Sequence, residues 1–422
     1  IFVVLVPAAA VVAAIALLVV WLGTTASGLR APLWAGTWAV PSLQVTGVRG
    51  SLYDGFTLER ISVDEPAVAL VATTVAVVPA QLSVQNRIVD LAQVSAASTI
   101  VSWAPSESTS PPAAPASLAL PLTLRLRDVS VGELRLGERG QEPYVLRAAR
   151  LRGLADREAI RIEHAAARYG PSEVGLAGSL GAALPFPLSA HAELRSVVLD
   201  MAVQARLDAT GSLLDVALVA RSDSGAGRLD AQARIAPFSA VPLAGLSLTM
   251  ADFELDKWLP DIPAMRLAGT ADLQMQPGTD FTVAGRFQLT NALAGPMDRQ
   301  RLPLQSARGT VRWSAAALDL ALERIEVAGG SAQAGAVRSA DGTITGQVTF
   351  RGIDAARVHT SATATQASGQ LDFKAGAGRQ RFTGRASNAR GLPIDLDFAV
   401  TAAGDVIEIE RAIARLGEGR AD

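Results

Sequence analysis

Cysteine is absent from this chain of 422 residues, and histidine occurs only as His164, His191 and His359. The first absence excludes disulfides, thiolate metal sites and cysteine nucleophiles. The histidines share no short motif with a second ligand, so no metal site is predicted. The chain also lacks a phosphate-binding loop, a His-Glu-x-x-His motif and a Gly-x-Ser-x-Gly motif. We therefore expect no catalytic residue, no cofactor and no enzyme activity.

Lysine is almost missing as well, because only Lys257 and Lys374 occur among 38 basic residues. The 40 acidic residues leave a net charge of −2, which gives no basic excess for binding nucleic acid. Aromatic residues make up only 5% of the chain, although hydrophobic residues reach 49%. The apolar content is therefore mostly alanine, valine and leucine.

The sequence begins with a long segment that contains no charged residue. Residues 1–22 contain no charged side chain, and Trp21 lies where an interfacial anchor is expected. At about 1.5 Å per residue a helix of this length spans roughly 33 Å, enough for a hydrocarbon core of about 30 Å. This predicts a transmembrane helix over 1–22. A secretory signal peptide, whose apolar region is typically about 7–15 residues, is the alternative.

Beyond residue 40 apolar and polar residues alternate with a period of two. Leu122, Leu124 and Leu126 alternate with polar residues, and similar runs recur as far as residue 400. This period is typical of strands with one apolar and one polar face, and short turns between runs predict antiparallel neighbours. Short helical stretches are predicted over 80–87 and, nearer the C-terminus, over 256–259 and 355–359.

These patterns divide the chain into four segments. Residues 1–22 form the transmembrane helix, and 23–103 form a first strand unit with the short helix. Residues 104–117 are rich in proline and serine and predict an exposed linker. Residues 118–422 form a repetitive strand segment, which we expect to continue beyond this sequence.

The fold class is therefore mainly β, with two arrangements open. A β-sandwich or barrel would fill its interior with interdigitating side chains. Many inward positions here are alanine or glycine, which favours a long antiparallel sheet folded around an open apolar groove. The groove-lining residues predicted from the alternation are Leu214, Val216, Leu218, Leu246, Leu248, Met250, Leu267, Leu273, Phe281, Val283, Phe287, Val311, Trp313, Leu371, Phe373, Leu396 and Phe398.

Several phrases carry a resemblance to a known family. They are a Gly-Ser-Leu phrase within 48–58, the proline-rich linker, and three strand-turn phrases at 178–188, 258–270 and 329–346. With the preceding apolar segment, their order resembles the N-terminal portion of the TamB family, translocation and assembly module subunits. That family belongs to the AsmA-like, or bridge-like lipid transfer, superfamily. The resemblance extends over essentially the whole chain, although no single phrase is specific.

The resemblance implies a fold and a function. It implies a U-shaped, β-taco-like groove anchored by a single-pass helix in the inner membrane of a Gram-negative bacterium, with the bulk of the chain in the periplasm. The implied cargo is phospholipid, moved between the inner and outer membranes. A second implied role is assisting outer-membrane protein insertion with a barrel partner resembling TamA, through a C-terminal region absent from this sequence. A purely structural envelope spacer is a third possibility.

Overall fold

The computed structural model describes most of the chain beyond residue 41. The described ranges are 42–51, 54–83, 85–105, 113–239, 242–259, 262–276, 282–314, 316–376, 378–390, 393–404, 406–416 and 419–421. Strands dominate them, as the alternation predicted. The predicted transmembrane helix over 1–22 and the middle of the predicted linker lie outside the described residues.

The chain divides into two compact units. One is Ile1–Ala220 with Ile235–Pro242, and the other is Arg221–Arg234 with Leu243–Asp422. The strands that precede and follow the predicted linker over 104–117 pair with each other, and both belong to the first unit.

The first unit is built from strands that pair with their neighbours in sequence. β1 and β2 both pair with β3, and each strand from β3 to β10 then pairs with the next. The bounds are β1 (Leu43–Thr46), β2 (Arg49–Ser51), β3 (Gly55–Asp64), β4 (Val68–Ser83), β5 (Ile88–Trp103), β6 (Thr123–Glu138), β7 (Tyr144–Ala155), β8 (Ala159–Tyr169), β9 (Ser172–Gly181), β10 (Pro187–Val198) and β11 (Met201–Ser212).

One of these pairings is parallel. β5 and β6 run in the same direction, from Ile88 opposite Thr123 to Trp103 opposite Glu138. Parallel neighbours need a crossover of about a dozen residues or more, and the linker with its flanking residues is long enough. After the linker, the Leu118 amide donates to the Ala182 carbonyl oxygen over 2.9 Å. The Thr123 amide donates to the Arg87 carbonyl oxygen over 2.8 Å. This segment therefore lies across the strand ends of the first unit.

The short helix expected over 80–87 is absent, because β4 continues through these residues to Ser83. Gln81 to Ser83 pair with Asp90 to Ile88 of β5, and a turn follows over 85–87. Pro79 lies at a register shift in this ladder. A bulge accommodates proline because it requires no ladder hydrogen bond there, so Pro79 does not begin a helix.

A closed hydrophobic core lies in the first unit between β3, β4, β5 and β6. Leu91 and Leu124 are each 1% exposed, and Phe56 is 3% exposed. Leu122, which follows the linker, packs into the same cluster. Complete burial of a leucine or phenylalanine contributes roughly 1.5–3 kcal/mol, so this cluster is a major stabilising element of the unit.

The second unit is a meander of antiparallel strands. Each strand from β14 to β24 pairs with the next one in sequence. β12 (Asp215–Ser224) and β13 (Gly227–Ile235) are divided between the units. The other bounds are β14 (Leu243–Glu254), β15 (Arg266–Gln276), β16 (Thr282–Asn291), β17 (Leu304–Ser314), β18 (Ala317–Val327), β19 (Gly330–Ser339), β20 (Ile344–Ile353), β21 (Ala367–Gly376), β22 (Arg379–Asn388), β23 (Ile394–Ala403), β24 (Val406–Leu416) and β25 (Gly419–Ala421).

Within the described ranges, helical structure is confined to short connections in the second unit. A 3₁₀ turn at Leu255–Lys257 and an α-helix, α1, at Ala355–Val358 confirm the helical stretches predicted near these positions. α1 begins where the Asp354 carboxylate accepts a hydrogen bond from the Ala356 amide, a typical N-cap. A second 3₁₀ turn, Met297–Arg299, was not predicted.

Candidate functional site

One face of the sheet in the second unit carries its apolar side chains. Residues directly opposite each other in an antiparallel pair project to the same face. Leu246 is opposite Leu273, and Val283 is opposite both Met275 and Trp313. The same relation continues strand by strand as far as Phe398, opposite Ala412 on β24. We call this continuous surface from β14 to β24 the apolar face.

Most of the predicted groove residues lie on the apolar face. They are Leu246, Leu248, Met250, Leu267, Leu273, Val283, Phe287, Val311, Trp313, Leu371, Phe373, Leu396 and Phe398. Val216 and Leu218 instead lie on the part of β12 that belongs to the first unit, and Leu214 lies in the turn before it. Phe281 lies outside the described residues.

The apolar face also contains residues that the sequence reasoning did not include in the groove. They are Leu289, Leu320, Leu322, Val348, Phe382 and Val400, placed there by the same register. The period-two alternation includes Val348 and Phe382, so both could have been predicted from the sequence. Glycines at other apolar-face positions of these strands interrupt the run of large apolar residues and make the alternation harder to see.

No large side chain of the apolar face is fully buried. The buried residues in the described second unit are all small or polar: Ala226, Asn291, Pro303, Ala307, Gly309, Ala328, Ala332, Ala399 and Thr401. Leu248, Leu273 and Phe373 are only half-buried, and Trp313 is 55% exposed. This differs from the closed core of the first unit. A two-layer sandwich would bury these side chains, so the apolar face is accessible to an apolar guest.

Glycines on neighbouring strands keep the large side chains low on this face. Phe373 lies opposite Gly346, and a Cβ on Gly346 would be 2.5 Å from the Phe373 ring. Phe350 lies in the same way over Gly369, with a corresponding distance of 2.9 Å. Because glycine has no side chain, each phenylalanine ring lies over the glycine of the adjacent strand instead of projecting away from the sheet. The apolar side chains therefore extend only a short distance from the sheet.

The two ends of these strands differ. At one end, which we call the loop end, long connections follow β14, β16 and β20 and contain the helical turns. The apolar face is best covered there, since Ala307 and Ala332 are buried. At the opposite, turn end, Trp313, Leu318 and Ile344 are exposed. Access to the apolar face is therefore greater at the turn end.

Two loops at the loop end are joined by a side-chain contact. The Asp298 carboxylate accepts hydrogen bonds from the amide and the hydroxyl of Thr360, the first over 3.0 Å. These bonds hold the pKa of Asp298 below its ordinary value, with the hydroxyl contributing most. The contact joins the connection after β16 to the connection after β20, across the ends of the strands between them.

The opposite face of the second unit is polar. Ser247 donates to Asp272 over 2.8 Å, and Gln347 donates to Asp372 over 2.8 Å. An open cavity of about 820 Å³ also lies at the loop end, with Arg351 in its wall. Its other lining residues are polar or small: Gln305, Arg324, Glu326, Gly329, Gly330, Ser331, Gly352, Arg357, Gln366, Ser368 and Ala389. This cavity offers no extension of the apolar face.

Several titratable side chains form pairs at the surface. His191 on β10 is opposite Asp208 on β11, with His191 Nδ1 2.8 Å from the carboxylate. The hydrogen bond to Asp208 raises the pKa of His191, followed in effect by the one to Glu193. Across the described ranges, no three His, Asp or Glu side chains lie close enough together to hold a metal ion.

In the part of the chain that the structure describes, no helix is both long enough and apolar enough to span a bilayer. Comparison with known proteins adds no relative, because no family model, curated protein or solved structure matches this chain.

Proposed function

We propose that this chain is an inner-membrane-anchored periplasmic protein whose apolar face carries phospholipids between the inner and outer membranes of a Gram-negative envelope. In this proposal residues 1–22 are the single-pass anchor. The sheet folds into a β-taco-like groove, acyl chains contact the apolar face, and headgroups remain in water. No reaction is involved, so no catalytic residue or cofactor is required.

The accessible apolar face is the observation that carries the proposal. An acyl chain of about 16 methylenes costs on the order of 13 kcal/mol to expose to water, at roughly 0.8 kcal/mol each. The eleven strands from β14 to β24 are separated by ten spacings of about 4.8 Å, which makes a contour of roughly 48 Å. A lipid tail that moves along a surface of this length would stay in contact with apolar side chains, which lowers the free energy of exposing it to water at every point of its path.

The resemblance to the TamB family of the AsmA-like superfamily supports the same proposal. It extends from the apolar segment through the linker into the strand array. By that resemblance, a barrel partner similar to TamA would be met at the outer membrane through a C-terminal region beyond this sequence.

Photo-crosslinking tests the proposal directly. A benzophenone amino acid at position 373 lies on the apolar face, and one at position 374 lies on the polar face of the same strand. We expect crosslinks to phospholipid from Phe373 and not from Lys374. Equal crosslinking from both positions, or none to lipid from position 373, would contradict lipid transport.

A scaffold for outer-membrane protein assembly is the second candidate, and it is implied by the same resemblance. In that case the crosslinker at position 373 would capture polypeptide instead of lipid.

A further inference from the structure

The polar cavity of about 820 Å³ at the loop end lies on the polar face of the second unit. Glu326 on β18 is opposite Ser331 on β19, which is in turn opposite Arg351 on β20, so these three side chains form one row in the cavity wall. Arg357 of α1 contributes to the same wall. Binding sites for small molecules usually measure about 300–1,000 Å³, so the cavity has the size of such a site.

Two adjacent glycines shape the wall. Gly329 has a φ of +77°, and a Cβ on this residue would lie 3.0 Å from Cδ of Arg357. A Cβ on Gly330 would lie 2.4 Å from the carbonyl oxygen of Arg351, closer than a side chain can approach. The wall at these positions is therefore bare backbone, and the Arg357 side chain packs directly against it.

The wall carries an excess of positive charge. The described residues that line the cavity include three arginines and one glutamate, so the net charge of the lining is +2. The Glu326 carboxylate is engaged on both oxygens, because Arg324 donates to Oε1 over 3.0 Å and Ser306 donates to Oε2 over 3.1 Å. The positive charge that remains belongs to Arg351 and Arg357.

Neither guanidinium group of these two arginines donates a hydrogen bond within the part of the chain that the structure describes. Arg357 lies 3.9 Å from Asp354, which is too far for a hydrogen bond, and Asp354 instead accepts from the amides of Ala356 and Thr365. If the Asp354 carboxylate is counted with the lining, the net charge is still +1. Both arginines therefore keep donors available for an anion.

The rest of the wall is mostly glycine and neutral hydrogen-bonding side chains. The side chains of Gln305 and Ser331 have no hydrogen-bond partner in the described ranges. Ser368 Oγ accepts from the Gly352 amide over 3.1 Å, which leaves the hydroxyl hydrogen of Ser368 free to donate. Ala389 is the only apolar side chain among the described lining residues. This composition suits a ligand with hydroxyl groups and disfavours an acyl chain.

We propose that this cavity binds a phosphate monoester of a small polyol, with Arg351 and Arg357 on the phosphate and the neutral side chains on the hydroxyl groups. A phosphate monoester carries a charge of about −1.5 to −2 at neutral pH, which matches the net positive charge of the site. A carboxylate or a phosphodiester carries only about −1. Because the cavity lies on the polar face, this site is separate from the lipid path proposed for the apolar face and does not depend on it.

Isothermal titration calorimetry of the full chain in detergent, with glycerol 3-phosphate as the probe, tests the proposal. Arg351→Gln should weaken the apparent Kd by about tenfold or more, because it removes a cation from the wall. Arg312→Gln is the matched control, since Arg312 is exposed on the polar face at the turn end of β17, and it should leave the Kd within about twofold. Arg351 is exposed, so thermal unfolding of both variants should be unchanged.

Three related probes define the ligand. Glycerol should not bind, and inorganic phosphate should bind more weakly than glycerol 3-phosphate, because each lacks one part of the ligand. Glycerophosphoglycerol, the deacylated headgroup of phosphatidylglycerol, should also bind more weakly, because a diester carries less negative charge.

No binding of glycerol 3-phosphate at millimolar concentration would overturn the proposal, as would equal weakening by Arg351→Gln and Arg312→Gln. Binding of inorganic phosphate as tight as that of glycerol 3-phosphate would overturn the recognition of a polyol. Binding of the diester as tight as that of the monoester would overturn the monoester and indicate a lipid headgroup instead.

Discussion

A single charge placed on either side of β15 distinguishes the two faces of the second unit. Leu273 lies on the apolar face between Leu246 and Gly285, whereas Gln274 is exposed on the polar face. Leu273→Glu and Gln274→Glu introduce the same carboxylate at neighbouring positions of one strand. Only the first change places it beside a bound acyl chain.

The spacing between strands gives the size of the expected loss in lipid-binding free energy. A tail that crosses one spacing of about 4.8 Å places about four methylenes beside position 273, each contributing roughly 0.8 kcal/mol. Losing these contacts next to a hydrated carboxylate costs about 3 kcal/mol, which is on the order of a hundredfold in affinity. Folding should suffer less, because Leu273 is only half-buried and full burial of leucine contributes about 1.5–3 kcal/mol.

Equilibrium binding of a fluorescent phospholipid to the purified full chain measures the effect. Leu273→Glu should weaken the apparent Kd by about a hundredfold, and Gln274→Glu should leave it within about twofold. Thermal unfolding of both variants separates loss of binding from loss of folding. If the two variants bind lipid equally well while both remain folded, the assignment of the lipid path to the apolar face is wrong.

Three further predictions concern the stability of the two units and the contact between two loops of the second unit. Gly346→Ala should lower stability by about 1–3 kcal/mol because its Cβ would meet the facing phenylalanine ring, whereas Gly335→Ala, whose Cβ would meet nothing within 4 Å, should be neutral or slightly stabilising in thermal unfolding. Asp90 is 3% exposed and its pKa is lowered chiefly by a hydrogen bond from a neighbouring arginine, so Asp90→Asn should cost about 1–2 kcal/mol at neutral pH. Because a lowered pKa stabilises only above the ordinary value of about 4, that difference should shrink as the pH falls through the pKa of the folded state, and a pH-independent difference in urea unfolding would refute it. Asp298→Ala should increase amide hydrogen exchange at Thr360 and in the connection after β20, and unchanged exchange would show that the two loops are held by other contacts.

Much of the second unit could be predicted from sequence because its strands obey a simple rule. Leu246, Leu248 and Met250 alternate with exposed polar residues, and such alternation fixes which side chains share a face. Antiparallel pairing of neighbours follows from short turns. The apolar face was therefore predictable residue by residue wherever the alternation was unbroken.

Long-range pairing and exposure were not predictable in the same way. The helix expected over 80–87 failed because pairing with β5 overrides the local signal of Pro79. The parallel β5–β6 pair depends on where a long linker returns, which local patterns do not encode. The positions of Phe373 over Gly346 and of Thr360 beside Asp298 likewise require knowledge of register and loop geometry.

Native mass spectrometry of the full chain, purified from its membrane in a mild detergent, tests the central claim most directly. The account predicts a co-purifying phospholipid whose occupancy falls in the Leu273→Glu variant and persists in Gln274→Glu. A chain that carries no lipid would indicate a closed spacer, and one that carries only polypeptide would indicate an assembly scaffold. Either result would contradict the lipid-carrying role proposed for the apolar face.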